Sequence, residues 1–549
     1  MRFTFSVAIL FVSIFIAGYL PPERIQTVDA VIRNGIIYDG SGSKPFAGDI
    51  AIHHDTITAI GDIGHTKGII EIDATGLAVS PGFINMLSWA DKTLLMDGRA
   101  MSDIMQGITL EVMGEGWSPG PVKRRPWEHG DSLWTTLDGY YEYLSKKGFC
   151  PNVASFVGHT SVRNCVLGYE NRRPDKRELL AMKALVAEAM EDGAFGLGTS
   201  LIYPPASYAD TGELIELAKV AAEYGGIYAT HMRSEGDFIL EALDEAITIG
   251  REANIPVEIY HLKVNLSRNW QLLDRALSKI DSAQRAGMKI TANMYPYTAS
   301  ATGLTSRLPN WVQEGGARAM RKKLLNPAIR KKVLYEMEHG IPYRNSDPGD
   351  VMLLAFKSDS LNQLYQGRRL NEISKLHGRS ADETVLDLVV EDKSRIETLY
   401  FLISEDNVRK IIQLPYVSFG TDAGSMANTP AFAEWSVHPR AYGTFPRVLG
   451  KYVREEKLVT LEEAIRRMTS LPASNLHLDR RGLLKAGWYA DVVVFDPEKI
   501  EDLATFEDPA RYAYGMMHVF VNGTLVLHNG EHTGALPGRV LRGRGFRVE

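Results

Sequence analysis

Residues 227–231 (IYATH) and 257–261 (VEIYH) are short, apolar and β-prone, and each ends in a histidine. Other segments of the same texture end at Glu115, His159, Tyr295 and Asp422. A lone histidine at a strand end is ordinarily a hydrogen-bonded core residue. Two at equivalent positions on consecutive segments, with acids closing two others, form a ligand pattern. Two neutral imidazoles and one carboxylate are a catalytic zinc set, because tetrahedral zinc then keeps its fourth position for water. Zinc lowers the pKa of that water to about 7 and polarises a carbonyl. The same donors suit Fe(II). Asp422, after Gly420-Thr421, is placed to carry a proton from water to a leaving amine, which favours hydrolysis.

Such residues need a scaffold that gathers strand ends. Between the segments lie helical stretches. DKRELLAMKALVAEAMEDG closes on a glycine. ELIELAKVAAEYGG begins behind Asp210 and Glu213, spaced as a capping box, and stops at a double glycine. The strand–helix period is about 30 residues, that of a βαβ unit. Counting the parent strand at 77–87, then ITLEVMG, NVASFVGH, AFGLGTS, IYATH, VEIYH, KITANMY and YVSFGTD gives eight strands. Eight parallel strands with intervening helices make an α/β TIM barrel, whose site lies at the C-terminal strand ends. A doubly wound sheet needs a glycine-rich phosphate turn after its first strand, and none is visible.

Residues 29–78 differ: short strands with turn signals, Asn34-Gly35 among them. The texture returns in ADVVVFDP and in MMHVFVNGTLVLHNG. This predicts a small β-sandwich domain built from both termini, residues 29–78 and 476–549, around a barrel over 79–475. Residues 306–350, rich in Lys and Arg, break the alternation. They read as a helical insertion above the barrel mouth, either a solvated face or a lid.

Composition narrows the class. The 549 residues are 45% hydrophobic and 23% charged, which excludes a disordered or collagenous chain. Net charge is −6 and no long basic run occurs, so no nucleic-acid footprint is expected. Cys150 and Cys165 are too few for a disulfide framework; they make one bridge or two free thiols. Arg2 precedes an apolar run over residues 3–20 that breaks at Pro21-Pro22. Residues 1–28 therefore read as an export segment, either a cleaved signal or a retained membrane anchor. A cut after Ala17 would leave Phe15 where a small residue is preferred.

From about residue 29 onward the chain resembles the amidohydrolase superfamily, and within it the N-acyl-D-amino-acid deacylases. The matching segments include PGFI (81–84), GITLEVMGEGWSPGP (107–121), VGHTSVR (157–163), FGLGTSLIYPP (195–205) and ATHMRSE (229–235). They continue with IYHLK (259–263), YPYTA (295–299), GTDAG (420–424), HPRAYGTFPRVLGKYVRE (438–455) and GWYADVVVFDP (487–497). The resemblance implies a barrel with a two-ended β-domain and hydrolysis of N-acyl amino acids, small-molecule substrates, of D configuration. It implies His231 and His261 as metal ligands and Asp422 as acid/base. Lys263 and Tyr295 would grip the substrate carboxylate, with Ser300 or Thr302 as helper. His159 is expected to help hold the oxyanion. Arg233, Arg440 and His438 have positions but no assigned role.

Two departures set the expected metal count. Superfamily members carry His-x-His after PGFI-D; here those positions are Leu87 and Trp89. The deacylase cysteine ligand is also absent. Gly114-Glu115-Gly116 stands there, making Glu115 the expected replacement and Glu111 the alternative. One Zn2+ per chain, held by Glu115, His231 and His261, is the expectation. The competing readings are a cyclic-amide or D-dipeptide hydrolase on the same barrel, and a membrane-tethered barrel that only binds its ligand.

Overall fold

The computed structural model describes residues 27–123, 134–339, 346–432 and 438–547. The apolar run over residues 3–20 lies outside them, while Thr27 and Val28, the last two residues of the expected export segment, already belong to the first strand of the β-domain. Among the described residues no helix is long and apolar enough to cross a membrane.

Five strands open the chain: β1 (Thr27–Ile37), β2 (Phe46–His53), β3 (Thr56–Gly61), β4 (Lys67–Asp73) and β5 (Ala78–Pro81). Barrel strands follow as β6 (Phe83–Asn85), β7 (Ile108–Met113), β8 (Asn152–Ser155) and its continuation β9 (Val157–Gly158). Next come β10 (Gly196–Ser200), β11 (Ile227–His231), β12 (Val257–Ile259) and β13 (Ile290–Met294). Three strands then interrupt: β14 (Ser300–Gly303), β15 (Val351–Ala355) and β16 (Glu397–Tyr400). β17 (Val417–Phe419) resumes the barrel, and β18 (Val492–Phe495), β19 (Met516–Val521), β20 (Thr524–His528) and β21 (Glu531–His532) finish the chain.

The eight expected barrel strands are present, the first of them shorter than the 77–87 segment: β6 alone joins the barrel, while β5 belongs to the sheet of the two chain ends. β6, β7 and β8 pair in parallel, as do β9 through β13 with β17. The ring closes through backbone bonds. Met86 N–H donates to Phe419 O at 3.1 Å, and Phe156 N–H donates to Met113 O at 2.8 Å. Every β10 and β11 residue is buried, as a parallel sheet covered by helices requires.

β1 to β5 and β18 to β21 form one hydrogen-bonded sheet of nine strands, so both termini do share a β-domain. Its core is isoleucine-rich: Ile32, Ile37, Ile50, Ile52, Ile57 and Ile72 pack against Val492, Val494 and Phe520. The last residues leave this domain. Val153 N–H donates to Arg539 O, and Leu541 N–H to Val153 O, so the tail runs along barrel strand β8. Cys150 and Cys165 are both free.

The insertion is longer than its basic helices suggested. It spans β14 to β16, an antiparallel three-stranded sheet in the order β14-β16-β15, and its helices share a separate apolar core. Leu304, Val312, Val333, Leu353, Val385 and Leu388 lie in that core. A self-supporting layer can hold a fixed wall over the barrel mouth, which a solvated helical face cannot.

The helix Thr211–Glu223 shows why local signals carry only half the answer. Asp210 caps it, accepting from Glu213 N–H at 2.8 Å. Glu213 does not reciprocate as a capping box would. Its carboxylate turns inward to His159 Nε2 (2.9 Å) and to the Arg163 guanidinium.

Candidate active site

Three donor atoms converge at the C-terminal mouth of the barrel. Glu115 Oε1 lies 2.8 Å from His231 Nδ1 and 3.3 Å from His261 Nε2, and the two nitrogens are 2.9 Å apart. All three side chains are buried. Zinc bonds to nitrogen and carboxylate oxygen span about 2.0–2.2 Å, so tetrahedral ligands sit slightly over 3 Å apart. The observed triangle fits such an ion with a small expansion. Two imidazole nitrogens and a carboxylate facing one point are otherwise a poor arrangement.

The backbone is shaped to deliver these atoms. Glu115 follows β7 between two glycines with φ of 106° and 69°. A side chain at Gly114 would meet Phe156 O, and one at Gly116 would meet Ser200 Cβ, both at 2.4 Å. His261 and Asp422 are non-glycine residues at positive φ, 35° and 49°. Such conformations cost energy and persist where surrounding contacts enforce them. His261 N–H donates to Asn293 Oδ1 at 2.9 Å, and Asp422 N–H to Leu87 O at 2.9 Å.

Electrostatics follow from the same contacts. Burial alone would raise the Glu115 pKa, but hydrogen bonds from His231 and His261 outweigh it and hold it at about 2. Glu235, four residues after His231, is the residue the sequence reading missed. Its Oε1 lies 2.8 Å from His261 Nδ1 and 2.5 Å from Lys263 Nζ. Despite burial, Lys263 and the two histidines hold the Glu235 carboxyl well below the carboxylate range. A carboxylate on the far nitrogen of a ligating histidine fixes its tautomer and ring orientation.

Asn293, which receives the His261 amide, is itself fixed by Glu258 on β12, whose Oε1 accepts from Asn293 Nδ2 at 2.9 Å. Thr291 donates to the other carboxylate oxygen. Burial raises the Glu258 pKa to about 7 against the pull of these two bonds. The folded state therefore binds this proton more tightly than the unfolded chain does. Its full stability holds below the unfolded pKa of about 4.5 and falls as pH rises toward 7, a loss of about 3 kcal/mol. Glu258→Gln, which needs no proton, is expected to raise the melting temperature at pH 8. The gain narrows by pH 5. Thermal unfolding of both proteins at the two pH values checks this; an equal shift at both would contradict it.

Asp422 stands opposite the triad. Its Oδ2 pairs with Arg440 at 2.7 Å, and its Oδ1 accepts from the Trp89 indole N–H at 3.0 Å. The same indole nitrogen lies 3.1 Å from Glu115 Oε2. Arg440 is buried, lies 4.7 Å from the centre of the Tyr295 ring, and its Nε has no hydrogen-bond partner among the described residues.

These groups line one cavity of about 810 Å³, within the size range of small-molecule sites. Glu115, His231, His261, Lys263, Tyr295, Thr302 and Asp422 all reach it, so seven of the eight expected site residues come together. Arg307, Gln313, Met320, Lys393 and Arg395 of the insertion supply its outer wall. His159 does not line it; its ring is fully buried against Glu213 and Arg163, which removes it as an oxyanion donor. Lys263 does line it, but its ammonium is neutralised by Glu235; two arginines of the lining, Arg440 beside Asp422 and Arg307 on the insertion, each keep an Nε with no hydrogen-bond partner among the described residues. Glu111 is excluded as a ligand. It lies in the barrel interior, accepting from Asn85 (2.9 Å) and Ser425 (3.3 Å). Arg233 is structural, paired with Glu245 at 2.9 Å. His438 accepts the Arg440 backbone N–H at 2.9 Å and donates to Ala299 O.

A barrel with a buried Glu-His-His triad facing an aspartate defines a metal-dependent hydrolase class, and the comparisons agree. The chain belongs to the amidohydrolase family, whose model matches residues 71–527. It is 33% identical to the D-aminoacylase of Alcaligenes xylosoxydans xylosoxydans over 526 residues, covering 94% of this chain and 98% of that protein. It is also similar to the structure of N-acyl-D-glutamate deacylase from Bordetella bronchiseptica complexed with zinc and a phosphonate inhibitor. There the TM-score is 0.80 at 30% identity, with 94% and 100% of the two chains covered. A D-aminoacylase structure concerned with a binuclear metal centre, its one-metal activation and second-metal attenuation, matches with a TM-score of 0.78 at 32% identity, covering 94% and 100%.

Proposed function

We propose that this chain is a zinc-dependent deacylase that hydrolyses the amide bond of N-acyl-D-amino acids. The observation that carries the reading is the convergence of Glu115, His231 and His261 within 3.3 Å of one another, in a cavity that also holds Asp422 and Arg440. The D configuration rests on the named activities of the similar proteins. Zinc held by the triad would supply an acidified water and polarise the amide carbonyl. Asp422 takes a proton from the attacking water on a carboxylate oxygen and delivers it to the leaving amine nitrogen. Arg440, with its unused Nε, receives the substrate's free carboxylate, and its guanidinium carbon lies 4.7 Å from the centre of the Tyr295 ring. Lys263 and Glu235 hold the His261 ring in register.

The test is a panel of N-acetyl amino acids in both configurations with the zinc-loaded protein. D substrates are expected to turn over with kcat/KM at least about 100-fold above their L forms. Equal rates for both configurations, or rapid cleavage of hydantoins instead, would move the assignment to another amide hydrolase.

We also infer that the protein is exported, on the apolar run over residues 3–20 and its positive leading residue. Full-length protein expressed in a bacterial host should then be accessible to protease in intact spheroplasts. Full protection would remove this reading. N-terminal sequencing of the mature protein separates a cleaved signal from an anchor.

A further inference from the structure

We propose that Trp89 stands where a second cation would otherwise bind. Its indole N–H bridges Glu115 and Asp422, closes that position, and fixes the proton-carrying carboxylate. The proposal rests on the one-zinc hydrolase reading above.

Glu115 Oε2 and Asp422 Oδ1, the oxygens not committed to the triad or to Arg440, both point at the Trp89 nitrogen, at 3.1 and 3.0 Å. Two carboxylate oxygens aimed at one buried point beside two histidines would make a divalent-cation site. Here a donor occupies that point. Indole nitrogen donates only and offers no lone pair to a metal. At 3.1 and 3.0 Å the two bonds have the length of an N–H divided between two carboxylate oxygens rather than given to one. One N–H shared by two such oxygens offsets part of their repulsion without a second ion.

The backbone holds the ring there. Trp89 N–H donates to Ala423 O, and Asp422 N–H donates to Leu87 O, both at 2.9 Å. Ser88 and Ala423 form a parallel bridge between them. The two strand ends are thus zipped together, and Trp89 and Asp422 project from adjoining backbone. Leu87, the other residue of this strand end, is buried and offers no ligand atom. Trp89 is therefore a positioning residue: it acts through Asp422 and Glu115.

The test is zinc binding by the metal-loaded protein, with Trp89→Phe and Trp89→His as variants. The wild type should keep one zinc per chain by elemental analysis after equilibrium dialysis against about 100-fold molar excess zinc. Trp89→His should take a second zinc under the same dialysis. Trp89→Phe should lower kcat about tenfold or more with KM little changed, the size expected for losing one bond to a charged group. Thermal unfolding establishes that each variant is folded, and either variant alone suffices. A wild type that binds two zinc ions overturns the proposal. So does a folded Trp89→Phe with unaltered kcat, or a folded Trp89→His still at one zinc. A wild type that binds none, even with zinc supplied, removes the hydrolase reading instead.

Discussion

Asp422→Asn is expected to keep one zinc per chain and lose about 10³-fold in kcat, the middle of the range for general acid–base catalysis. The substitution is close to isosteric. Asparagine tolerates the φ of 49° at this position as well as aspartate does. Its carbonyl oxygen can still accept from the Trp89 indole, and the bonds that zip the strand ends together are backbone ones that the substitution leaves in place. What it lacks is a site for the proton. The ion pair to Arg440, 2.7 Å in the wild type, is also lost, which frees that guanidinium for substrate. KM should then stay level or fall, while kcat and kcat/KM drop together, the signature of an interaction used in the transition state. Steady-state kinetics on one D substrate, with zinc measured on the same sample, decides it. A kcat within tenfold of wild type would remove Asp422 from the proton path.

Much of this site was legible in the sequence because its donors sit at strand ends. A parallel barrel presents the residue after each strand at one mouth, so IYATH and VEIYH carried the two ligands by position alone. The glycines around Glu115 are explained only by the structure, where a side chain on them would meet Phe156 O and Ser200 Cβ. The misreadings concern partners distant in sequence. His159 ends a strand like the ligands do, but Glu213, on the helix after the next strand, draws its ring away from the cavity. Glu213 looked like the second half of a capping box for the same reason: the local spacing was right, and a buried arginine outbid it. Glu235 lies in a motif read for its histidine, and nothing in its spacing shows that it faces His261 rather than solvent. Arg440 follows Asp422 at no spacing that marks a partner, so its pairing is a property of closure of the fold. The insertion's basic helices are visible in the sequence; its sheet is not. Its strands β14 and β16 are four residues each and nearly a hundred residues apart, too short for a periodic signal.

Glu115→Gln should cost the protein its zinc: content after dialysis falls from one to below about 0.1 per chain, and activity falls with it by about 10³-fold or more. The carboxylate is the triad's only anionic ligand, and it serves two partners at once. Oε1 faces the histidine nitrogens at 2.8 and 3.3 Å, while Oε2 accepts from Trp89 at 3.1 Å. An amide has one oxygen. Placed toward the histidines, it leaves its NH2 against the indole N–H, donor against donor. Turned over, it puts the NH2 where the metal ligand must be. Either orientation loses a partner, and a neutral oxygen is a weaker zinc ligand than a carboxylate held ionised at about pKa 2. Glu235→Gln gives the internal scale. That residue touches His261 from behind, at 2.8 Å, and holds Lys263 rather than the metal. Loss of such an outer carboxylate typically weakens metal binding only 10- to 100-fold. Competitive titration against a zinc chelator should therefore rank wild type above Glu235→Gln above Glu115→Gln. A Glu115→Gln variant that holds zinc as tightly as Glu235→Gln would mean that another group completes the triad.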